Sequence, residues 1–246
     1  MDYFSGATFY IDKPVGWTSF DAVKRLRSEL VRRLGVRKLK VGHAGTLDPL
    51  ASGVMIVVTG RATKRIEELQ AGVKEYIATI QLGATTPSFD LETEIDATYP
   101  TDHITRESVE QALKQFTGTI SQVPPAYSAC KVDGVRAYSR ARKGKEVNLK
   151  PKTLVIDEIE LLECNLPEIV IRVVCSKGTY IRALARDIGE ALRSGGHLTG
   201  LRRTRVGDID IASCTSIPET VEAIRTSSVE YPDWYEGPRR EDCARQ

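Results

Sequence analysis

In the segment Gly42-His43-Ala44-Gly45-Thr46-Leu47-Asp48-Pro49-Leu50-Ala51-Ser52-Gly53, the side chains with obvious reactive chemistry are His43 and Asp48. Its glycines and its proline prescribe a loop of unusual, fixed backbone shape. Pro49 removes one backbone donor and steers Asp48 away from helical geometry, so a carboxylate is held on a stiff turn. From spacing alone such an Asp is either a turn-former or a nucleophile. Between Glu29 and Glu67 the only acid is Asp48, which argues against Mg²⁺-dependent phosphoryl chemistry. His103 and His197 stand in unrelated contexts, no His pair has ligand spacing, and no metal is expected. Neither Gly-x-Gly-x-x-Gly after a strand nor Gly-x-x-x-x-Gly-Lys-Ser/Thr occurs, so no nucleotide cofactor is expected.

The elements that must position this loop follow from periodicity. Thr18 or Ser19 caps a helix with apolar Phe20, Val23, Leu26, Leu30 and Leu34, stopped by Gly35. The glycine-rich loop leads into an apolar strand, Val54 to Val58. An alternating strand from Lys74 to Leu82 puts Tyr76, Ala78, Ile80 and Leu82 on one face. Thr105 starts a second helix carrying Val109, Leu113 and Phe116, ended by Gly118. The basic stretch 124–152 has no sustained period and reads as a long irregular excursion, a length usually tied to function or disorder. Strands follow near Leu154 to Leu162 and Ile169 to Cys175, then a helix from Ile181 to about Arg193, then a basic strand from Leu201. A short helix and a polar tail close the chain. Strands outnumber helices without regular alternation, which indicates an α+β fold.

The 246 residues are 41% hydrophobic and 28% charged, enough for a substantial core. No apolar run approaches the ~18 residues that span a bilayer, and the N-terminus lacks the look of a signal peptide. Five widely spaced cysteines without Cys-x-x-Cys predict reduced thiols and a cytoplasmic location. Net charge is only +2, yet Lys24 to Lys40 holds eight basic residues against Glu29, and Lys131 to Lys152 holds eight against Asp133 and Glu146. Such segregation suits a polyanionic partner, although a basic run is also what a solvated face looks like.

The Gly42–Gly53 segment resembles the signature of the TruB family of tRNA pseudouridine-55 synthases. Ile11-Asp12-Lys13-Pro14-Val15-Gly16-Trp17-Thr18-Ser19, Lys74-Glu75-Tyr76, Pro124-Pro125-Ala126-Tyr127-Ser128-Ala129-Cys130-Lys131, Ser176-Lys177-Gly178-Thr179-Tyr180-Ile181-Arg182 and Leu201-Arg202-Arg203-Thr204 are similar to that family's other motifs, in its order. The resemblance implies a pseudouridine-synthase fold, with a central mixed, mostly antiparallel sheet flanked by helices and loops. It implies residues 1–215 as the catalytic domain, with 124–152 gripping RNA, and 216–246 as a short extension without the PUA-type domain many relatives carry.

It further implies Asp48 as nucleophile, Arg182 as its ion-pair partner and Tyr76 as a catalytic residue packed on the base. Tyr180 and Leu201 would line the uracil pocket. His43, Lys131 and Asp90 would contact RNA, the last within Thr86-Pro87-Ser88-Phe89-Asp90, which departs from the family's commoner Thr-Ser-Asp. The implied partner is the T stem-loop of tRNA, bound by a monomer without membrane, metal or cofactor. The alternative is a non-catalytic tRNA-folding chaperone using the same surface.

Overall fold

The computed structural model describes residues 1–128, 130–132, 134–144 and 147–237. The chain forms two compact units, Met1–Gly72 with Arg203–Gln246, and Val73–Arg202. The cut falls inside the Gly196–Val206 strand.

In the first unit the Thr8–Lys13 strand runs antiparallel to Ala51–Thr59, in a register that sets Lys13 opposite Gly53. Val41–Ala44 also pairs antiparallel with Ala51–Thr59, while Thr215–Ser216 pairs parallel with Thr8–Lys13. Of the loop expected from Gly42 to Gly53, residues 42–44 and 51–53 are therefore strand, and the turn proper is 45–50.

The predicted helix spans Ser19–Leu34. Thr18 accepts from the Asp21 N–H and the Asp21 carboxylate accepts from the Thr18 N–H, a reciprocal cap, and Gly35 ends the helix at φ 67°. Val23, Leu26, Leu30 and Leu34 enter a core with Ile11, Met55, Val57 and, from the Ile217–Thr226 helix, Ile217, Val221 and Ile224. Phe20 was expected on that stripe but is 61% exposed. Ser19 and Ala22 take the inward positions of the first turn, which leaves Phe20 on the flank.

The helix's basic residues are not all available to a partner. Arg25, Arg32 and Arg225 converge on buried Glu29, whose carboxyl the Arg225 guanidinium holds below its ordinary pKa against the cost of burial. Arg33 donates to the Ser227 carbonyl. Arg32 is exposed but paired with Glu29, and the other exposed cations of this run are Lys24, Arg37, Lys38 and Lys40.

The second unit lays Lys74–Leu82, Glu168–Cys175, Lys152–Asn165 and Gly118–Gln122 side by side, each neighbouring pair antiparallel. Burial alternates along Lys74–Leu82 as predicted, with Tyr76, Ala78, Ile80 and Leu82 inward. The longer helices of this unit are Arg106–Lys114, capped by Thr105 and Ser108, and Ile181–Ala191. The whole is α+β, a mixed and mostly antiparallel sheet flanked by helices.

Three expectations are corrected. Gly118 ends no helix; at φ 93° it opens a strand, and Phe116 lies past the helix end, half-buried. The last long strand starts at Gly196, not Leu201. Within 124–152 the chain makes a hairpin, Lys131–Val132 with Val135–Arg136, and a short helix, Ala137–Ala141. Strands of two residues carry no detectable period. No described helix is long and apolar enough to cross a membrane. Among the described residues Cys130, Cys164, Cys175 and Cys214 form no disulfide. The end of the predicted polar tail, 238–246, lies outside the described residues.

Candidate active site

Asp48 sits on the turn between Val41–Ala44 and Ala51–Thr59, with its carbonyl accepting from the Ala51 N–H at 3.1 Å and Pro49 at the turn's second position. Carbonyls on either side are tied down as well. Arg203 donates to Gly45 O at 3.2 Å and, at a long 3.5 Å, to Thr46 O. The Ser19 hydroxyl donates to Leu47 O at 2.9 Å and accepts from the Leu47 N–H at 2.8 Å. The Gly16 N–H donates to Pro49 O at 2.8 Å. Carbonyls 45 to 49 are thus all occupied, while the Asp48 residue itself stays partly exposed. A carboxylate on such a scaffold is placed before any ligand arrives.

Arg203 is 2% exposed and also donates from Nε to Val54 O at 2.8 Å. Its backbone passes so close to Gly53 that a Cβ there would collide with it, and Gly53 has φ 108°, so glycine is required. Lys13 is fully buried, donating from Nζ to Trp17 O at 2.6 Å and Pro14 O at 2.9 Å. Burial pushes its pKa down to about 8; the Asp48 carboxylate opposes that shift and Arg203 adds to it.

A testable consequence follows from linkage. The unfolded Lys titrates near 10.4. Between pH 8 and about 10 the unfolded chain therefore binds a proton that the native one has lost, and stability rises with pH across that window. Urea titrations should show the parent gaining on Lys13→Met from pH 8 to 10. A gap that stays constant or narrows would contradict the depressed pKa.

His43 lies opposite Val57 on the strand entering the turn. Its Nδ1 is buried without a hydrogen-bond partner, and burial lowers its pKa, the Gly45 backbone opposing. The ring is thereby favoured neutral, suited to stacking rather than to a cationic phosphate contact.

In the second unit Arg182 lies in the first turn of its helix and is 4% exposed. It donates to Ser88 O at 3.1 Å and Tyr127 O at 2.9 Å, and its Nε lies 3.5 Å from the Asp90 carboxylate. Asp90, expected to meet RNA, is 5% exposed, and its other oxygen accepts from the Glu92 N–H. Its position favours orienting Arg182. Tyr180 is fixed through its backbone by the fully buried Gln122 amide, which accepts from its N–H at 2.9 Å and donates to its carbonyl at 3.2 Å. The Tyr180 hydroxyl lies 3.2 Å from Cys130 Sγ. Tyr76 is buried at 9% exposure, and Leu201 is half-buried on the Gly196–Val206 strand. Lys131 pairs through its backbone with Arg136; its side chain lies outside the described set.

The expected site residues thus fall into two groups, Asp48 with His43 in one unit and Arg182 with Asp90, Tyr180, Tyr76 and Leu201 in the other. Motif reading assigned no role to Lys13, Ser19, Arg203 or Gln122. Alternation carried a signal for one of them, since Lys13 stands two residues after buried Ile11 and shares its face. Among the described residues no group of three or more His, Cys, Asp or Glu could hold a metal ion.

A mixed sheet flanked by helices is the fold of a pseudouridylate synthase. Within that class the chain belongs to the TruB family. The model of the TruB family pseudouridylate synthase N-terminal domain matches residues 32–181, and that of the tRNA pseudouridylate synthase B C-terminal domain matches residues 182–230. The chain is 70% identical over 233 residues to tRNA pseudouridine synthase B of Bacteroides fragilis, covering 95% of this chain and 100% of that one. It is 50% identical over 225 residues to tRNA pseudouridine synthase B of Flavobacterium johnsoniae, covering 91% and 98%. A solved structure of an H/ACA RNP bound to a substrate RNA containing 2'-deoxyuridine is similar with TM-score 0.65 and 28% identity, over 89% of this chain and 54% of that one.

Proposed function

We propose that this pseudouridylate synthase isomerises uridine 55 in the T loop of tRNA, with Asp48 as nucleophile. The observation that carries the reading is the turn at Asp48, whose carbonyls 45 to 49 are all hydrogen-bonded while the acid stays partly exposed. The relatives at 70% and 50% identity bear the name tRNA pseudouridine synthase B, which supports tRNA as the substrate.

The reaction breaks the N1–C1′ bond, turns the uracil and forms a C5–C1′ bond; the C5 proton leaves and N1 gains one. The balance is an isomerisation, with no external oxidant, group donor or cofactor. A carboxylate can carry the sugar–base fragment through that rearrangement as a covalent partner. Arg182 is the proposed counter-ion of Asp48, Tyr76 packs on the base and assists removal of the C5 proton, and Tyr180 and Leu201 bound the uracil. His43 meets the loop RNA by stacking, and Lys131 and the exposed Lys24, Arg37, Lys38 and Lys40 reach phosphates.

The uridine must be everted, at a cost of a few kcal/mol that is least for a weakly stacked loop base. We read residues 1–215 as the synthase body acting as a monomer, and 216–246 as an extension docked through its helix.

The test is position-resolved mapping of pseudouridine in unmodified tRNA and in an isolated T stem-loop after incubation with the purified chain. Conversion at position 55 in both is expected; unchanged uridine there, or conversion elsewhere, would overturn the reading. With about six phosphate contacts, log affinity should fall against log salt with a slope of roughly −4. A slope near zero in filter-binding titrations would remove the phosphate footprint.

A further inference from the structure

Among the described residues only Phe89 and Arg193 adopt positive φ without being glycine, and Phe89, at φ 62°, lies between two of the residues that hold Arg182. Ser88 gives its carbonyl and Asp90 its carboxylate to the same guanidinium. A left-handed residue turns the chain sharply, so that acceptors on either side of it converge on one donor. A bulky side chain adopts that backbone only where its surroundings over-determine it. Here they do. The Phe89 N–H donates to Thr86 O at 3.0 Å, its carbonyl accepts from the Leu198 N–H at 2.9 Å, and its ring lies under the Arg186 guanidinium at 4.8 Å. Arg186 is one helical turn beyond Arg182 and is itself anchored, by Asp187 at 2.6 Å and by the Val123 carbonyl at 3.2 Å.

We propose that Phe89, clamped in the left-handed conformation by Arg186, is a positioning residue that aims Ser88 and Asp90 at Arg182 and so sets the orientation of that guanidinium in the reaction. The inference rests on the catalytic reading of Arg182 given above. It predicts that backbone tolerance, not side-chain size, decides activity at position 89.

The experiment measures kcat and KM on T stem-loop RNA, with melting curves, for Phe89→Gly, Phe89→Asn, Phe89→Ala and Phe89→Val. All four lack the ring; glycine and asparagine accept positive φ, alanine less so, and β-branched valine least. The expected order of kcat is Gly and Asn above Ala above Val, with Val about 10- to 100-fold below Gly and KM within about threefold throughout. Should Val not fold, the order Gly and Asn above Ala still decides. An order that follows side-chain size, equal kcat in all variants, or losses confined to melting temperature would overturn the proposal. Arg182→Lys is measured alongside. It keeps the charge but not the planar fork, and a drop of roughly 100-fold is expected. If Arg182→Lys keeps parental kcat, the catalytic reading of Arg182 fails whatever the Phe89 series gives.

Discussion

Asp48→Asn is expected to lower the single-turnover rate of pseudouridine formation by at least about 10⁴-fold, the scale seen when a nucleophile is removed from an otherwise intact site. Affinity for the T stem-loop should stay within about threefold. The substitution keeps shape and volume, and Pro49 still fixes the residue before it. The bonds from Arg203, Ser19, Gly16 and Ala51 run to backbone carbonyls of the turn and do not need the Asp48 charge. The amide is nevertheless a far weaker nucleophile than a carboxylate. A second effect follows from the buried lysine. The Asp48 charge opposes the burial that depresses the Lys13 pKa, so its loss should move Lys13 further down, below about 8. The pH dependence of stability should shift acidward in the Asn variant. Rate assays with enzyme in excess, filter binding and pH-resolved urea titrations check the three parts separately.

Arg203→Met should destabilise the fold by about 3–5 kcal/mol, from one buried and two part-buried carbonyls left unsatisfied at up to about 1–3 kcal/mol each. Arg203 donates to Gly45 O, Thr46 O and Val54 O from a position 2% exposed, and water cannot readily replace it at Val54 O, where the bond is buried. Methionine fills much of the volume, so the loss reports hydrogen bonding and charge more than cavity formation. For a chain of this size the melting temperature should fall by roughly 10 °C. The turn loses two of its five anchored carbonyls, and pseudouridine formation should drop with it. Arg203→Lys should recover little, because one ammonium cannot span acceptors that a planar fork reaches from three nitrogens. A destabilisation under about 1 kcal/mol in calorimetry would mean that Arg203 is an ordinary strand residue.

Legibility differed by element for physical reasons. The Ser19–Leu34 helix and the Lys74–Leu82 strand were readable because each buries one face against a continuous core, and burial writes a period into the residues. Gly118–Gln122 was missed because Gly-Thr-Ile-Ser-Gln has one apolar side chain and pairs on a single described edge. Gly118 looks like a helix stop since positive φ serves both purposes. The turn at Asp48 was recognisable as a motif, but its supports were not. Ser19 reads as a helix cap, Lys13 and Arg203 stand in motifs with no role assigned, and only tertiary structure turns them inward onto carbonyls. The resemblance implies an RNA contact for Asp90, and an acid among Glu92, Glu94 and Asp96 gives no hint of a buried guanidinium more than ninety residues away in the chain. The basic run on the first helix was legible as charge, not as availability. Glu29 lay in plain view among those cations, and its burial decides which of them are spent.

The proposed chemistry depends on where the Asp48 carboxylate is held more than on its presence. The most direct measurement is therefore the single-turnover rate of conversion at uridine 55 by Asp48→Glu, which keeps the charge and moves it out by one methylene. On a turn fastened along five consecutive carbonyls the backbone cannot retreat to compensate, and a misplacement of about 1 Å can cost on the order of 100-fold. A loss of that size or greater, with RNA affinity unchanged, is the predicted result. A glutamate variant within about threefold of the parent would contradict the claim that a rigidly placed carboxylate does the chemistry.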